Sequence, residues 1–423
     1  MRKAKGFILN HRFLFISFGF LLVYNLVITG AGVPWHIDAV SKGYYVLDFS
    51  MGFTDRILPG AVYNLFFDDL SDKSLSIYHT VIMIMFFIIL SVLVDQAIRS
   101  VEIKDQRLYC ILFLLLLSGP CTFSLFVHYL GMIEFYWVIF AVVFFLFLAY
   151  KPLQFLIVPL CLLVLLVSSV GIVTFVPFFC ILMLYKLSLE ESKRAKRVLF
   201  GSFLLCVCVS IPFALYLLAQ SKNNLAISSD ELYALLLKKG VVNPDYYEYF
   251  LFHRLDHAEN AEGFLNDRFI AEYISIFFDP TNGIKTIVYK LLLQIRAVIL
   301  LSMHREWTNL LFISVLTAPV WFIILQYMIK VLRDRQNSLL KRFSFLCMIG
   351  LFVLIIIVGL IMSVEHSKWF SFAFLLLFSC FLYVYNKEDA AKQYVVNCAS
   401  KIPVGVTFVY CAVYALTVFS VFD

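Results

Sequence analysis

The chain has 423 residues, of which 62% are hydrophobic and only 15% are charged. Soluble domains carry about 25% charged residues, so this composition excludes an ordinary water-soluble protein. The net charge of +6 is spread over segments that flank apolar runs, which argues against a nucleic-acid-binding surface.

Eleven long apolar stretches follow one another from Phe13 to Val421. A helix needs about 20 apolar residues to cross the hydrocarbon core, and a helix satisfies its own backbone hydrogen bonds in lipid. The pattern therefore predicts an all-α, polytopic integral membrane helix bundle, a single membrane domain over 1–423 with about 11 transmembrane helices. The predicted spans are 13–30, 77–95, 108–126, 134–150, 152–168, 172–186, 198–219, 307–329, 343–363, 369–386 and 404–422.

One further apolar segment, 284–303, contains Lys285, Lys290 and Arg296. A span there would move the basic stretch 330–342 to the opposite side of the membrane. We therefore expect an amphipathic helix lying at the membrane interface, and a twelfth span is the alternative.

The distribution of Lys and Arg predicts the orientation of the spans. The segments on the side of the N-terminus hold twenty-one of these cations, whereas the opposite loops, leaving out the longest, hold four. The positive-inside rule then places the N-terminus in the cytoplasm. The basic segment 1–12 precedes an apolar run without a small-residue cleavage site, which is typical of a retained first span. The loops 31–76 and 220–306 then face outward, and we expect the second to be helical.

Nucleotide-driven chemistry is not expected on the inner side, because the inner loops are short and show no phosphate-binding glycine motif. The ten cysteines lie almost entirely in apolar runs without a CxxC pair, which is typical of small buried side chains. No metal site is predicted, and a divalent cation is the one cofactor left open.

The first outer loop is the densest polar feature. It places Asp38, Asp48 and Arg56 among aromatic residues. A carboxylate there could act as a general base, and an arginine could clamp a phosphate. Asp48 and Arg56 would share a face if one helix carried both, although Gly52 between them weakens that inference. The alternative is an aromatic belt with solvated charges.

Two further features flank later spans. Glu134 is expected at the outer end of the fourth span, where an ionisable residue is costly and usually has a partner or a function. His366 and Lys368 lie in a short turn, where they could serve as acid/base and phosphate ligand. The alternatives are a carboxylate that reaches the interface and a polar cap on a helical hairpin.

This architecture resembles bacterial enzymes that assemble surface polysaccharides, namely O-antigen polymerases of the Wzy type. The resemblance covers the whole chain in topology and matches no diagnostic motif. It implies a polymerase that joins undecaprenyl-diphosphate-linked repeat units at the periplasmic face of the inner membrane. By location, it points to Arg254, Arg268 and Arg305 as ligands of the lipid diphosphate. It also implies a chain-length regulator protein as a partner, besides the bilayer and the polyprenyl-linked sugar.

The acidic and aromatic first loop is more similar to the GT-C class of glycosyltransferases. That resemblance implies a base at Asp38 or Asp48, assisted by Glu134, and the transfer of a single sugar. An alternative of another class is a flippase or other transporter of lipid-linked oligosaccharide. Transporters often show polar residues at mid-membrane and internal repeats, and this sequence shows neither clearly.

Overall fold

The protein is described here by a computed structural model, which covers residues 11–28, 45–49, 57–99, 106–117, 119, 134–220, 229–241, 304–362 and 366–416. Within these ranges the chain is helical and contains no strand. The α-helices are α1 Arg12–Ile28, α2 Ile57–Tyr63, α3 Asp72–Arg99, α4 Gln106–Leu117, α5 Glu134–Ala149, α6 Ile157–Val167, α7 Phe175–Leu189, α8 Lys193–Gln220, α9 Ser229–Lys238, α10 His304–Arg333, α11 Leu339–Met362, α12 His366–Lys387, α13 Asp389–Ala399 and α14 Val404–Leu416. Short 3-10 helices cover Lys151–Leu156 and Ser169–Ile172.

The expected fold class, an all-helical protein with helices suited to a membrane, is confirmed. Among the described residues, five helices are long and apolar enough to cross a membrane, over Asp72–Val92, Lys193–Ala214, Trp307–Arg333, Leu339–Leu360 and Lys368–Lys387. Each of the eleven predicted stretches contains a helix, but several of these helices are shorter than a membrane span. The count of about eleven spans is therefore not confirmed. The segment 284–303 lies outside the described residues.

The exposed surface of the long helices is apolar, as lipid contact requires. In α3, Val81, Met85 and Ile88 are exposed, and Met83 and Phe87 on another face are buried. The exposed residues recur at intervals of four and three, which places them on one face of the helix. Such a face would be unfavourable in water and is compatible with hydrocarbon.

One large apolar core joins most of the helices. Helices α11 and α12 contact each other and both contact α7 and α10, and α6 and α8 pack beside α7. A second group consists of α1, α3 and α4, with α14 against α4. Helix α14 links the groups, because Tyr24 donates a hydrogen bond to the carbonyl of Ala415 (2.9 Å) and Tyr410 donates one to the carbonyl of Leu316 (2.7 Å).

The bundle has two ends, which we call the Tyr136 end and the Glu388 end. Lys186 donates a hydrogen bond to the carbonyl of Leu148, and its neighbour Tyr185 donates one to Glu388. The C-terminus of α5 therefore lies at the Glu388 end. Tyr136 precedes Leu148 by about 18 Å along α5, at a rise of about 1.5 Å per residue, which places it at the opposite end.

The position of Glu388 also gives the orientation of α10 and α12. Tyr327 of α10 donates a hydrogen bond to Glu388, so the first residue of that helix, His304, lies about 35 Å away at the Tyr136 end. Helix α12 ends beside Glu388, so its first residue, His366, also belongs to the Tyr136 end. The first turns of three helices, α5, α10 and α12, therefore share one end of the bundle.

Candidate functional site at the Tyr136 end

Five buried rings form an aromatic cluster at this end, made of Tyr45, Tyr63, Tyr78, His79 and Tyr136. Tyr45 belongs to the first loop, Tyr63 ends α2, Tyr78 and His79 lie in α3, and Tyr136 lies in α5. The ring centroids of Tyr45 and Tyr63 are 5.5 Å apart, and those of Tyr63 and Tyr78 are 5.2 Å apart. Both pairs meet edge to face, the arrangement that aromatic quadrupoles favour. The cluster therefore packs the first loop against three helices, α2, α3 and α5.

The hydroxyl groups of the cluster are hydrogen-bonded to one another and to the backbone. The Tyr136 hydroxyl lies 3.1 Å from that of Tyr78 and 3.3 Å from that of Tyr45. The Tyr63 hydroxyl lies 2.6 Å from the carbonyl of Asp69 and 2.7 Å from Oγ of Ser74. Burial raises the pKa of Tyr63 to about 12, so this phenol remains a proton donor at neutral pH.

His79 is the exception within the cluster. Its side chain is 0% exposed, and its ring contacts those of Tyr45 and Tyr78 edge to face at 5.1 and 5.4 Å. Neither Nδ1 nor Nε2 has a hydrogen-bond partner among the described residues. A buried polar group left unpaired costs about 1–3 kcal/mol, so an imidazole at this position is unfavourable for folding alone.

A charged group lies beside the cluster, where the ammonium of Lys239 interacts electrostatically with the carboxylate of Asp48. Lys239 directly follows α9 and is buried, and its ammonium donates a hydrogen bond to Oδ1 of Asn64 (2.7 Å). Burial lowers the pKa of Lys239, and the negative charges of Asp48 and Asp68 oppose that effect. The carbonyl of Lys239 also accepts a hydrogen bond from the backbone N–H of Leu70 (2.9 Å). The end of α9 is thereby tied to the loop that precedes α3.

Asp48 is partly buried and lies in irregular backbone that follows a turn at 45–46. Arg56 lies outside the described residues, so the expectation that one helix would place it on the same face as Asp48 stays a prediction. Among the described residues, Lys239 interacts electrostatically with Asp48. An ammonium beside a carboxylate at the end of a membrane bundle provides one group for a phosphate and one for a proton.

The other predicted residues are placed in part. Glu134 begins α5, Arg305 is the second residue of α10 and His366 begins α12, so their backbones lie at the Tyr136 end. Their side chains lie outside the described part of the chain. Lys368, in the first turn of α12, is buried. Its predicted role as a phosphate ligand stays a prediction.

The remaining predicted residues lie outside the described residues. They are Asp38, Arg56, Arg254 and Arg268. Their predicted roles stay predictions.

Two residues of this site were missed by reasoning from sequence. Lys239 follows an amphipathic stretch in the long loop, and nothing local distinguishes it from other lysines. His79 did carry a signal, because an ionisable residue inside a predicted span, 77–95, is costly and usually functional. One histidine near the end of a predicted span is a weaker signal than several acidic residues in one loop. The sequence therefore pointed to Asp38 and Asp48 instead.

In the described ranges, no group of three or more His, Cys, Asp or Glu side chains is arranged to hold a metal ion.

The fold defines the chain as an all-helical protein of the membrane-spanning class. Comparison of the chain with protein-family models, with curated proteins and with solved structures found no match in any of the three. Its function therefore has to be argued from its own residues.

Proposed function

We propose that the protein is an integral membrane glycosyltransferase that joins saccharides carried on polyprenyl diphosphate, with its reaction site at the Tyr136 end. The observation that carries this proposal is the Lys239 ammonium, which is buried and hydrogen-bonded to Asn64 within electrostatic reach of the Asp48 carboxylate, at one end of an apolar bundle. The positive-inside distribution of Lys and Arg supports an outward position for that end. A polyprenyl carrier would then enter from the bilayer.

In this proposal, Lys239 binds the diphosphate of the donor. It is an ammonium with three N–H donors, and Asn64 accepts one hydrogen bond from it. A buried cation is only weakly screened by salt, so its attraction for a phosphate is stronger than that of a surface lysine. The negative charge that develops on the leaving diphosphate would be neutralised there.

In this proposal, Asp48 accepts the proton of the acceptor hydroxyl. In the proposed reaction an acceptor hydroxyl attacks the anomeric carbon of the donor sugar, and the bond from that carbon to the diphosphate oxygen breaks. The hydroxyl proton passes to Asp48, and the diphosphate leaves with both bonding electrons. A positioned general base contributes about 10²- to 10⁴-fold to the rate, which sets the expected loss when it is removed.

The proposal is tested with the full-length protein in liposomes that contain undecaprenyl-diphosphate-linked repeat units from the source strain. We expect wild-type protein to make a ladder of polymers and Asp48→Asn to lose about 100-fold or more of the rate. Lys239→Met should require more donor for the same rate, and Lys239→Arg should restore part of the affinity. The matched control is Asp230→Asn, which removes an exposed carboxylate in the first turn of α9.

Two results would contradict the proposal. One is wild-type protein that makes no glycosidic bond from any lipid-linked donor. The other is Asp48→Asn protein that polymerises at the rate of Asp230→Asn, which would reject the site while leaving the reaction standing. A product extended by a single sugar would assign the protein to single-sugar transfer instead of polymerisation.

A further inference from the structure

His79 has no role in the reaction proposed above, and its surroundings indicate a binding role of its own. The residue lies in the second turn of α3 and is completely buried. It is surrounded by rings that contact it through their edges, at 5.1 Å from Tyr45 and 5.4 Å from Tyr78. Both of its nitrogens are without a hydrogen-bond partner among the described residues.

Packing alone does not explain this imidazole. A phenylalanine would supply a similar ring to the same neighbours without burying two polar atoms. The nearby phenols do not satisfy it either, because the hydroxyls of Tyr78 and Tyr45 approach that of Tyr136, at 3.1 and 3.3 Å. A neutral imidazole offers one N–H donor and one acceptor nitrogen, and both need a partner.

The chemistry of the cluster indicates what that partner is. A hydroxyl group can donate to one imidazole nitrogen or accept from the other, and a ring with several hydroxyls can do both. Aromatic side chains offer apolar faces to the C–H face of a sugar. Tyr45 belongs to the first loop and not to a membrane helix, so its ring is the member of the cluster that can move without a helix moving. Withdrawal of its ring would uncover His79 from the loop side.

We propose that His79 binds the hydroxyl groups of a saccharide that takes the place of the Tyr45 ring. Tyr45 and Asp48 are three residues apart, so their Cα atoms are separated by at most about 11 Å. A saccharide held by His79 would therefore have its neighbouring hydroxyl near the proposed base. This inference rests on the proposed function, since it assigns the acceptor saccharide to that same site.

The experiment measures the shift in thermal unfolding midpoint when a ligand is added to full-length protein in detergent. The probes are the undecaprenyl-diphosphate-linked saccharide of the source strain and undecaprenyl phosphate without a saccharide. We expect the linked saccharide to stabilise wild-type protein more than the bare lipid does. His79→Phe should keep or raise the midpoint without ligand, and its apparent affinity for the saccharide should fall about tenfold, the scale of one to two hydrogen bonds.

The matched control is His11→Phe, which changes a partly buried histidine at the other end of the bundle. It should retain the full saccharide-dependent shift. Should His79→Phe fold poorly, diethylpyrocarbonate labelling of wild-type protein replaces it, read by peptide mass at His79 and at His11. The linked saccharide should then slow labelling of His79 and leave that of His11 unchanged.

The outcomes separate this inference from the proposed function. A saccharide shift of equal size in wild-type and His79→Phe protein overturns the binding role of His79, and so does protection by the bare lipid alone. Polymerisation with loss of saccharide affinity in His79→Phe supports both proposals. Saccharide binding that depends on His79 in a protein that transfers nothing supports the site and rejects the enzyme.

Discussion

The partly buried carboxylate of Glu388 should stabilise the end of the bundle opposite the candidate site. Its Oε1 accepts a hydrogen bond from Tyr185 (2.6 Å) and forms an ion pair with Nζ of Lys341 (2.8 Å). Its Oε2 accepts one from Tyr327 (3.0 Å). These three partners lie in α7, α10 and α11, so one side chain joins three helices where α12 meets α13. We expect Glu388→Gln to destabilise the protein strongly.

The magnitude follows from the contacts. Hydrogen bonds to a charged group contribute about 1.5–3 kcal/mol and neutral ones about 0.5–1.5, so each phenol loses about 1 kcal/mol. Removing one member of a buried ion pair costs about 3–5 kcal/mol. Because the Lys341 side chain is 16% exposed and can reach water, we reduce that figure to about 2 kcal/mol. The expected loss for Glu388→Gln is therefore about 4 kcal/mol.

The assay is equilibrium unfolding in detergent micelles, followed by tryptophan fluorescence, on Glu388→Gln, Lys341→Met and the double variant. The double variant should lose about 1–3 kcal/mol less unfolding free energy than the two single variants lose together. The reason is that it no longer leaves one charge without its partner. Glu191→Gln is the control, since Glu191 is an exposed carboxylate at the same end. An unfolding free energy of Glu388→Gln within about 0.5 kcal/mol of that of Glu191→Gln, the usual range of surface substitutions, would refute this prediction.

The remaining predictions concern packing and pH. Gly359→Ala should cost about 1–3 kcal/mol, because a Cβ there would lie 2.6 Å from Cγ of Trp369, whereas Gly350→Ala on the same helix meets nothing within 4 Å and should stabilise by about 0.5–1 kcal/mol; melting of both variants in detergent checks the opposite signs. The Lys151–Glu190 pair should matter only above acidic pH. The hydrogen bond from Lys151 lowers the pKa of Glu190, so its contribution is complete above the unfolded-state pKa of about 4.3 and disappears as the pH falls through the lower folded value. Lys151→Met should therefore cost up to about 1 kcal/mol at pH 7 and nothing at pH 2; an equal loss at both values would contradict this reasoning.

The prediction of helices from sequence succeeded because it depends on a local requirement. In hydrocarbon the backbone must bond within its own segment, so any long apolar run becomes a helix wherever it lies in the bundle. The number of full spans is harder to read from the same runs. Between Lys151 and Ile172, for example, the apolar stretch is divided into a 3-10 helix, the eleven residues of α6 and a second 3-10 helix. Hydropathy does not distinguish these pieces from one continuous span.

The candidate site was predicted in part. Asp48 drew attention through its neighbours in the sequence, since a carboxylate among aromatic residues next to a span is unusual in a chain with so few charges. Its partner Lys239 lies nearly two hundred residues further on, and only the docking of α9 against the loop before α3 brings them together. The same holds for His79, whose isolation from hydrogen-bond partners becomes visible only with the rings of Tyr45 and Tyr78 around it.

The sequence by itself determined that this protein is a bundle of helices in a membrane, because composition and apolar run length depend on the chain alone. Only the tertiary structure decided which of its few polar groups are buried together. Glu388 occupies a two-helix junction that appears solvated in sequence, yet Tyr185, Tyr327 and Lys341 enclose it. A polar side chain in such a bundle acquires its pKa, its partners and its chemistry from helices distant in sequence, and that pairing is a property of packing.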